Sequence, residues 1–217
     1  MSLACSLTPL GNRFGGHFSG KVLADLSAGA GQNMRLASGL YYMRGQAAGG
    51  WGGNNFMANG GGGGSGAGFE GYVHINRDLE NVAVLSGAVP DNQGDGGQTS
   101  VGGIFVFGGG RVGGYNNGVG GLGGVYTYKE DERWSIASSR VARNGEDGRG
   151  ASSDGNYRSG ANSVLTGNGG GLGQAPATAP GAGGGGGYQW HPSGQPGGPG
   201  EIKILSLIHI SEPTRPY

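Results

Sequence analysis

Few residues in this sequence are placed to do chemistry, and their spacing decides what each can do. Gly15-Gly-His-Phe-Ser-Gly-Lys21 nearly spells a phosphate-binding loop. Such a loop needs a Ser or Thr hydroxyl after its Lys to hold Mg²⁺, and it needs a strand before it and a helix behind. Val22 follows here and neither flank fits, so nucleotide binding is not expected. Gly66-Ala-Gly-Phe-Glu-Gly71 has a dinucleotide-binding spacing, but at this glycine content such matches arise by chance, and no helix follows. Asp91-Asn-Gln-Gly-Asp-Gly96 opens like a calcium loop, yet Gly102 stands where the closing bidentate Glu belongs, so the stretch reads as a turn. His17, His74 and His191 lie far apart, with no Cys or acid at ligand spacing. A single cysteine, Cys5, provides neither a disulfide framework nor a metal cluster, and no Ser occupies a nucleophile elbow. The expectation is a non-enzymatic chain with no catalytic residue, no metal site and no cofactor.

What remains is aromatic residues set among glycines: Trp51, Tyr115, Tyr188 and Trp190, with His191 beside the last. A ring in a glycine-rich loop offers a large flat surface at low ordering cost, suited to sugars or protein surfaces. The same rings could instead cap strands and cover a core. Both readings stand at this point.

Glycine supplies 56 of 217 residues, and Val, Ile, Leu and Phe together make up less than a fifth of the chain. So small an apolar share points to disorder when net charge is high, but 14 basic and 14 acidic residues cancel. The same balance argues against nucleic acid as a partner, since a phosphate binder needs a basic surplus and the arginines occur singly. No apolar run is long enough to span a membrane, and no signal peptide is recognised at the start.

Between the glycine stretches lie short runs of alternating β-branched and aromatic residues, the mark of strands. They predict strands at 20–26, 40–45, 71–76, 81–86, 103–107, 125–129, 134–138 and 201–204, with no helix. Ile104-Phe-Val-Phe107 is apolar throughout and reads as a strand covered on both faces. The glycine runs at 60–64 and 183–187 pose the harder question. Each ordered glycine costs roughly 0.5–1 kcal/mol relative to Ala. These runs are therefore either flexible linkers or packed polyproline-II-like helices of three residues per turn. Spacing of three appears in Gly118, Gly121 and Gly124, without the sustained period of collagen.

The order of elements resembles one family. Gly39-Leu-Tyr-Tyr-Met-Arg-Gly-Gln-Ala-Ala-Gly-Gly50 runs from a strand into a small-residue turn. Gly68-Phe-Glu-Gly-Tyr-Val-His-Ile-Asn-Arg-Asp78 and Asn81-Val-Ala-Val-Leu-Ser-Gly87 follow as partner strands. The run from Gly183 to Tyr188 and the segment from Gly197 to Ile204 close the pattern. These features are similar to the glycine-rich domain of phage tail-fibre and adhesin proteins, related to the glycine-rich region of anaplastic lymphoma kinase-type receptor ectodomains. The resemblance covers about Leu23 to Ile204 and departs from the family at 129–168, which is more charged. It implies an all-β, jelly-roll-like β-sandwich bearing glycine-rich polyproline-II-like helices or loops, with structural and host-recognition roles. Implied partners are a host cell-surface protein or glycan and other virion proteins, and the implied location is a virion or extracellular surface. The other reading is an extracellular structural or ligand-binding module of a cellular surface protein. Residues 205–217 change character abruptly and resemble a translated sequencing adapter of metagenomic origin. The expected division is therefore 1–22 as an N-terminal segment, 23–204 as the glycine-rich β domain and 205–217 as read-through.

Overall fold

The computed structural model describes residues 19–54, 60–89, 93–115, 118–150, 159–171, 175–187 and 193–208. Its regular elements are ten strands: β1 (Ser19–Ser27), β2 (Gly31–Leu36), β3 (Gly39–Gln46), β4 (Gly68–Ile75), β5 (Leu79–Leu85), β6 (Thr99–Val101), β7 (Phe105–Phe107), β8 (Tyr126–Tyr128), β9 (Trp134–Arg143) and β10 (Glu201–Ile208). They form two five-stranded antiparallel sheets, ordered β1-β10-β3-β4-β9 and β2-β5-β6-β7-β8. The fold is all-β, as the alternation predicted.

Alternation also sets the core. In β4, Phe69, Val73 and Ile75 are buried while His74 is exposed; in β5, Leu79, Val82 and Val84 turn inward. Phe69 of one sheet stacks on Phe105 of the other at 4.5 Å, and Phe105 lies 5.7 Å from Phe107. Burying one such ring contributes roughly 1.5–3 kcal/mol, so a few aromatic residues offset the low aliphatic content. Trp134 closes one end, its Nε1–H donating to the Lys129 carbonyl at 2.7 Å.

Four differences from the sequence reading have physical causes. β7 is covered on one face only: Phe105 and Phe107 are buried but Val106 is 37% exposed, because the outer side of its sheet faces solvent. β2 and β6 were not predicted. Gln32, Asn33 and Arg35 obscure the apolar period of β2, an edge strand, and β6 is three residues long. β1 starts at Ser19, before the expected boundary at 22/23. β10 continues past Ile204 to Ile208, with Leu205 paired to both Val22 and Tyr42. Leu205 and Leu207 fall on the face opposite the buried Ile202 and Ile204, so it is the backbone pairing to β1 and β3, not the apolar alternation, that carries the strand on.

The β8–β9 turn carries the clearest electrostatic feature. The Asp131 carboxylate accepts Nε–H and Nη2–H of Arg133, both at 2.8 Å, and its backbone N–H at 3.0 Å. These bonds, the side-chain ones foremost, lower its pKa to about 2. A carboxylate held below its unfolded value of about 3.9 favours the fold above that value, and the contribution is lost as pH falls towards 2. Carboxyl NMR should give a midpoint near 2 for Asp131, and Arg133→Ala should return it to the ordinary carboxylate range.

Candidate functional site

The glycine segments leave one end of the sandwich in out-and-back excursions: between β3 and β4, β5 and β6, β7 and β8, and three times between β9 and β10. Their hydrogen bonds follow a period of three. Along 47–54, Ala47, Gly50 and Gly53 donate to Ala67, Gly64 and Gly61; Ala48 and Trp51 donate to Gly97 and Gly94; Gly49 and Gly52 donate to Gly198 and Gln195. Each step turns the amide to the next neighbour, the geometry of a helix with three residues per turn. Segment 60–67 lies at the centre. Gly60, Gly63 and Gly66 donate to Gly187, Gly184 and Gly181; Gly61, Gly64 and Ala67 to Gly114, Arg111 and Gly108; Gly62 and Ser65 to Arg149 and Glu146. Its carbonyls accept from three further sides, from Gly53 and Gly50, from Gly121 and Gly124, and from Ala161. Six extended segments thus ring a buried seventh. The runs are ordered by backbone pairing, which offsets the entropy that argued for linkers.

This lattice fixes where the excursions reverse. Gly187 donates to Gly53, Gly61 to Gly114, Gly114 to Val119, Gly62 to Arg149 and Arg149 to Ser159. The Asn54 side chain, nearly buried, accepts the Gly194 N–H at 2.7 Å. The residues that flank the reversals are therefore held together at the end away from the sheets.

Two of the predicted aromatics are described there. Trp51 is half-buried, its backbone bonded to Gly94 and Gly113, and its indole N–H is buried without a partner among the described residues. Tyr115, next to Gly114, is 47% exposed, and its hydroxyl donates to the Gln93 carbonyl at 3.2 Å. Trp51 and Tyr115 are brought to the same end through the Gly113–Trp51 bond. Tyr188, Trp190 and His191 lie outside the described residues, as do His17, Cys5 and Asp91.

Asp95, read as part of an acidic turn, pairs with Arg111 and accepts the Val112 N–H at 2.9 Å. That contact spans two excursions and had no local signal. A second surface was also missed. On the outer face of the first sheet, the rings of Tyr42 and Tyr72 meet edge-on at 5.7 Å, and the Tyr42 hydroxyl donates to Glu70 at 3.1 Å. Burial foremost, with Glu70 adding to it, pushes the Tyr42 hydroxyl up to about 12, so it remains a neutral donor at physiological pH. His74 on this strand is exposed and bonds Asn76. Among the described residues, no three His, Cys, Asp or Glu side chains are grouped to hold a metal ion. No helix among them is long and apolar enough to cross a membrane.

No family model matches the chain, and no curated protein matches its sequence.

Proposed function

We propose that this chain is a non-enzymatic recognition and structural domain, a glycine-lattice module of a phage tail-fibre or adhesin-like protein. The observation that carries the reading is the common end at which the excursions reverse, tied together by backbone hydrogen bonds. A hydrogen-bonded lattice holds residues in place without using side chains, which frees its reversal points to vary in sequence. Function placed on loops over a rigid scaffold is a recurrent arrangement. The exposed ring of Tyr115 belongs to that end, and Tyr188, Trp190 and His191 follow Gly187, which bonds Gly53 there. The proposed ligand is a host cell-surface protein or glycan.

The test is binding of the labelled chain to a panel of bacterial cells and to a glycan array, with Tyr115→Ala and Trp190→Ala beside the parent. Anchoring aromatics typically cost 2 kcal/mol or more of binding when truncated. The expected result is binding that one or both substitutions weaken by about thirtyfold with an unchanged melting curve. Unchanged binding by both variants would move recognition off this end, the outer face around Tyr42 and Tyr72 being the next surface to test.

A further inference from the structure

Two neighbouring outer segments of the lattice differ in what they show to water. Segment 144–150 presents Asn144, Glu146, Asp147 and Arg149, all exposed and all polar. Segment 118–125 does the opposite. Gly121 and Gly124 face the lattice, where a Cβ would strike the Arg111 and Gly108 carbonyls; Gly120 and Gly123 face 144–150, where it would strike the Gly148 and Gly145 carbonyls. With three residues per turn, the remaining direction falls to Val119, Leu122 and Val125, and it leads to solvent. They are 58%, 63% and 62% exposed, the most exposed large apolar side chains among the described residues. At a three-residue repeat of about 9 Å they form one ridge along the lattice. Beyond Val125 the alternation of β8 carries the line on through the exposed Thr127 to its cross-strand partner Val106. None of the three ridge side chains belongs to the core cluster, so the fold itself has no use for apolar groups there. A continuous exposed apolar row marks a contact surface.

The flanks of the ridge show what it fits. Arg111 stands on one side, its amide donating to the Leu122 carbonyl at 2.8 Å. Asp95 takes an Nη1–H of its guanidinium, which leaves most of that exposed five-donor group open to a second carboxylate. Asp147 stands on the other side, exposed, its carboxylate accepting the Gly123 amide at 2.8 Å. One cation and one anion thus border Leu122 at the same level. When two copies meet ridge to ridge and run parallel, a two-fold axis along the ridge sets each copy's Arg111 opposite the other's Asp147. Run antiparallel, Arg111 would face Arg111 and Asp147 would face Asp147, which repels. The chain carries 14 basic and 14 acidic residues, so no net charge keeps copies apart.

We propose that the ridge of Val119, Leu122 and Val125 is the contact surface for a second copy of this chain, packed side by side and parallel. Leu122 against its counterpart forms the apolar centre, and the two reciprocal Arg111–Asp147 pairs form the charged rim. Both copies then direct their excursion reversals the same way. A single row of side chains offers less than the roughly 800 Å² per partner of stable complexes, so the pairing is reversible, with a Kd on the order of 10–100 μM.

Sedimentation equilibrium of the full chain, from about 5 μM to about 1 mM at low salt, tests this. The expected result is a reversible rise in mass with concentration. Leu122→Ser removes the apolar centre but touches no core contact, so it should keep the parent's melting temperature and associate at least about tenfold more weakly. Arg111→Glu and Asp147→Lys each set like charges opposite in a parallel pair, so each should associate poorly alone, and mixing the two should restore pairing. A parent that stays monomeric at about 1 mM would overturn the proposal. So would a Leu122→Ser variant that associates as the parent does. Charge variants that each self-associate like the parent would overturn the parallel arrangement.

Discussion

Replacing Gly63 with Ala is expected to cost more than about 4 kcal/mol, a large share of the roughly 5–15 kcal/mol that holds an ordinary domain folded. Gly63 sits mid-way along the central segment, its amide on Gly184 and its carbonyl taken by Ala161. A Cβ there would fall far inside 3.0 Å of the Gly50 carbonyl and would also strike the Trp51 carbonyl oxygen. Those are main-chain atoms, so no side chain can rotate away and relief requires the lattice to spread. Overpacking of a side-chain core costs roughly 1–3 kcal/mol because neighbours adjust; backbone ringed by backbone cannot. The sign makes the test sharp. In a flexible linker the same change would be neutral or would stabilise by about 0.4–1 kcal/mol through the unfolded chain. Urea unfolding of the variant decides between the two. Hydrogen exchange on the parent gives the same answer without a substitution: amides of 60–67 should exchange among the slowest in the chain.

Strands were legible in the sequence wherever two features coincided, a two-residue alternation and an inward-facing ring or β-branched residue. β4 and β5 have both, and so does the start of β9 at Trp134 and Ile136. β2 has the period but exposes polar side chains as an edge, so composition hid it. The lattice was legible only as a choice between order and flexibility, because glycine has no side chain through which periodicity could show. Its order lies in pairings such as Gly62 with Arg149 and Gly49 with Gly198, far apart in the chain and set by how many excursions return to one place. Val119, Leu122 and Val125 did leave a trace, every third residue apolar on an outer segment. Trp51 and Tyr115 could be picked by type, yet their neighbourhood depends on the bond from Gly113 to Trp51, which has no local signature. Resemblance to glycine-rich tail-fibre domains favoured packed glycine helices over linkers.

Gln46→Ala is the other substitution expected to be severe, by about 3–5 kcal/mol, because it strands groups on both sides of the junction between sandwich and lattice. Gln46 ends β3 and is fully buried. Its Nε2–H donates to the Gly66 carbonyl at 3.1 Å, the one carbonyl between Gly61 and Ala67 that takes no backbone amide. Its Oε1 accepts from the buried Ser163 hydroxyl at 2.7 Å, and its own carbonyl accepts from Thr99 at 2.9 Å. Truncation leaves the Gly66 carbonyl and the Ser163 hydroxyl without their partners in the dry interior, at roughly 1–3 kcal/mol each, and the space beside Gly181 empties as well. The Thr99 bond survives because it uses backbone, so the sheet should persist while the lattice loosens. A double-mutant cycle separates the parts. Adding Ser163→Ala to Gln46→Ala removes one stranded hydroxyl, so the pair should be less destabilised than the sum of the single changes by about 1–2 kcal/mol. Strict additivity in urea unfolding would show that the Gln46 amide does not couple the two halves. An interaction of the expected size would place the link between strand order and lattice order on this one side chain.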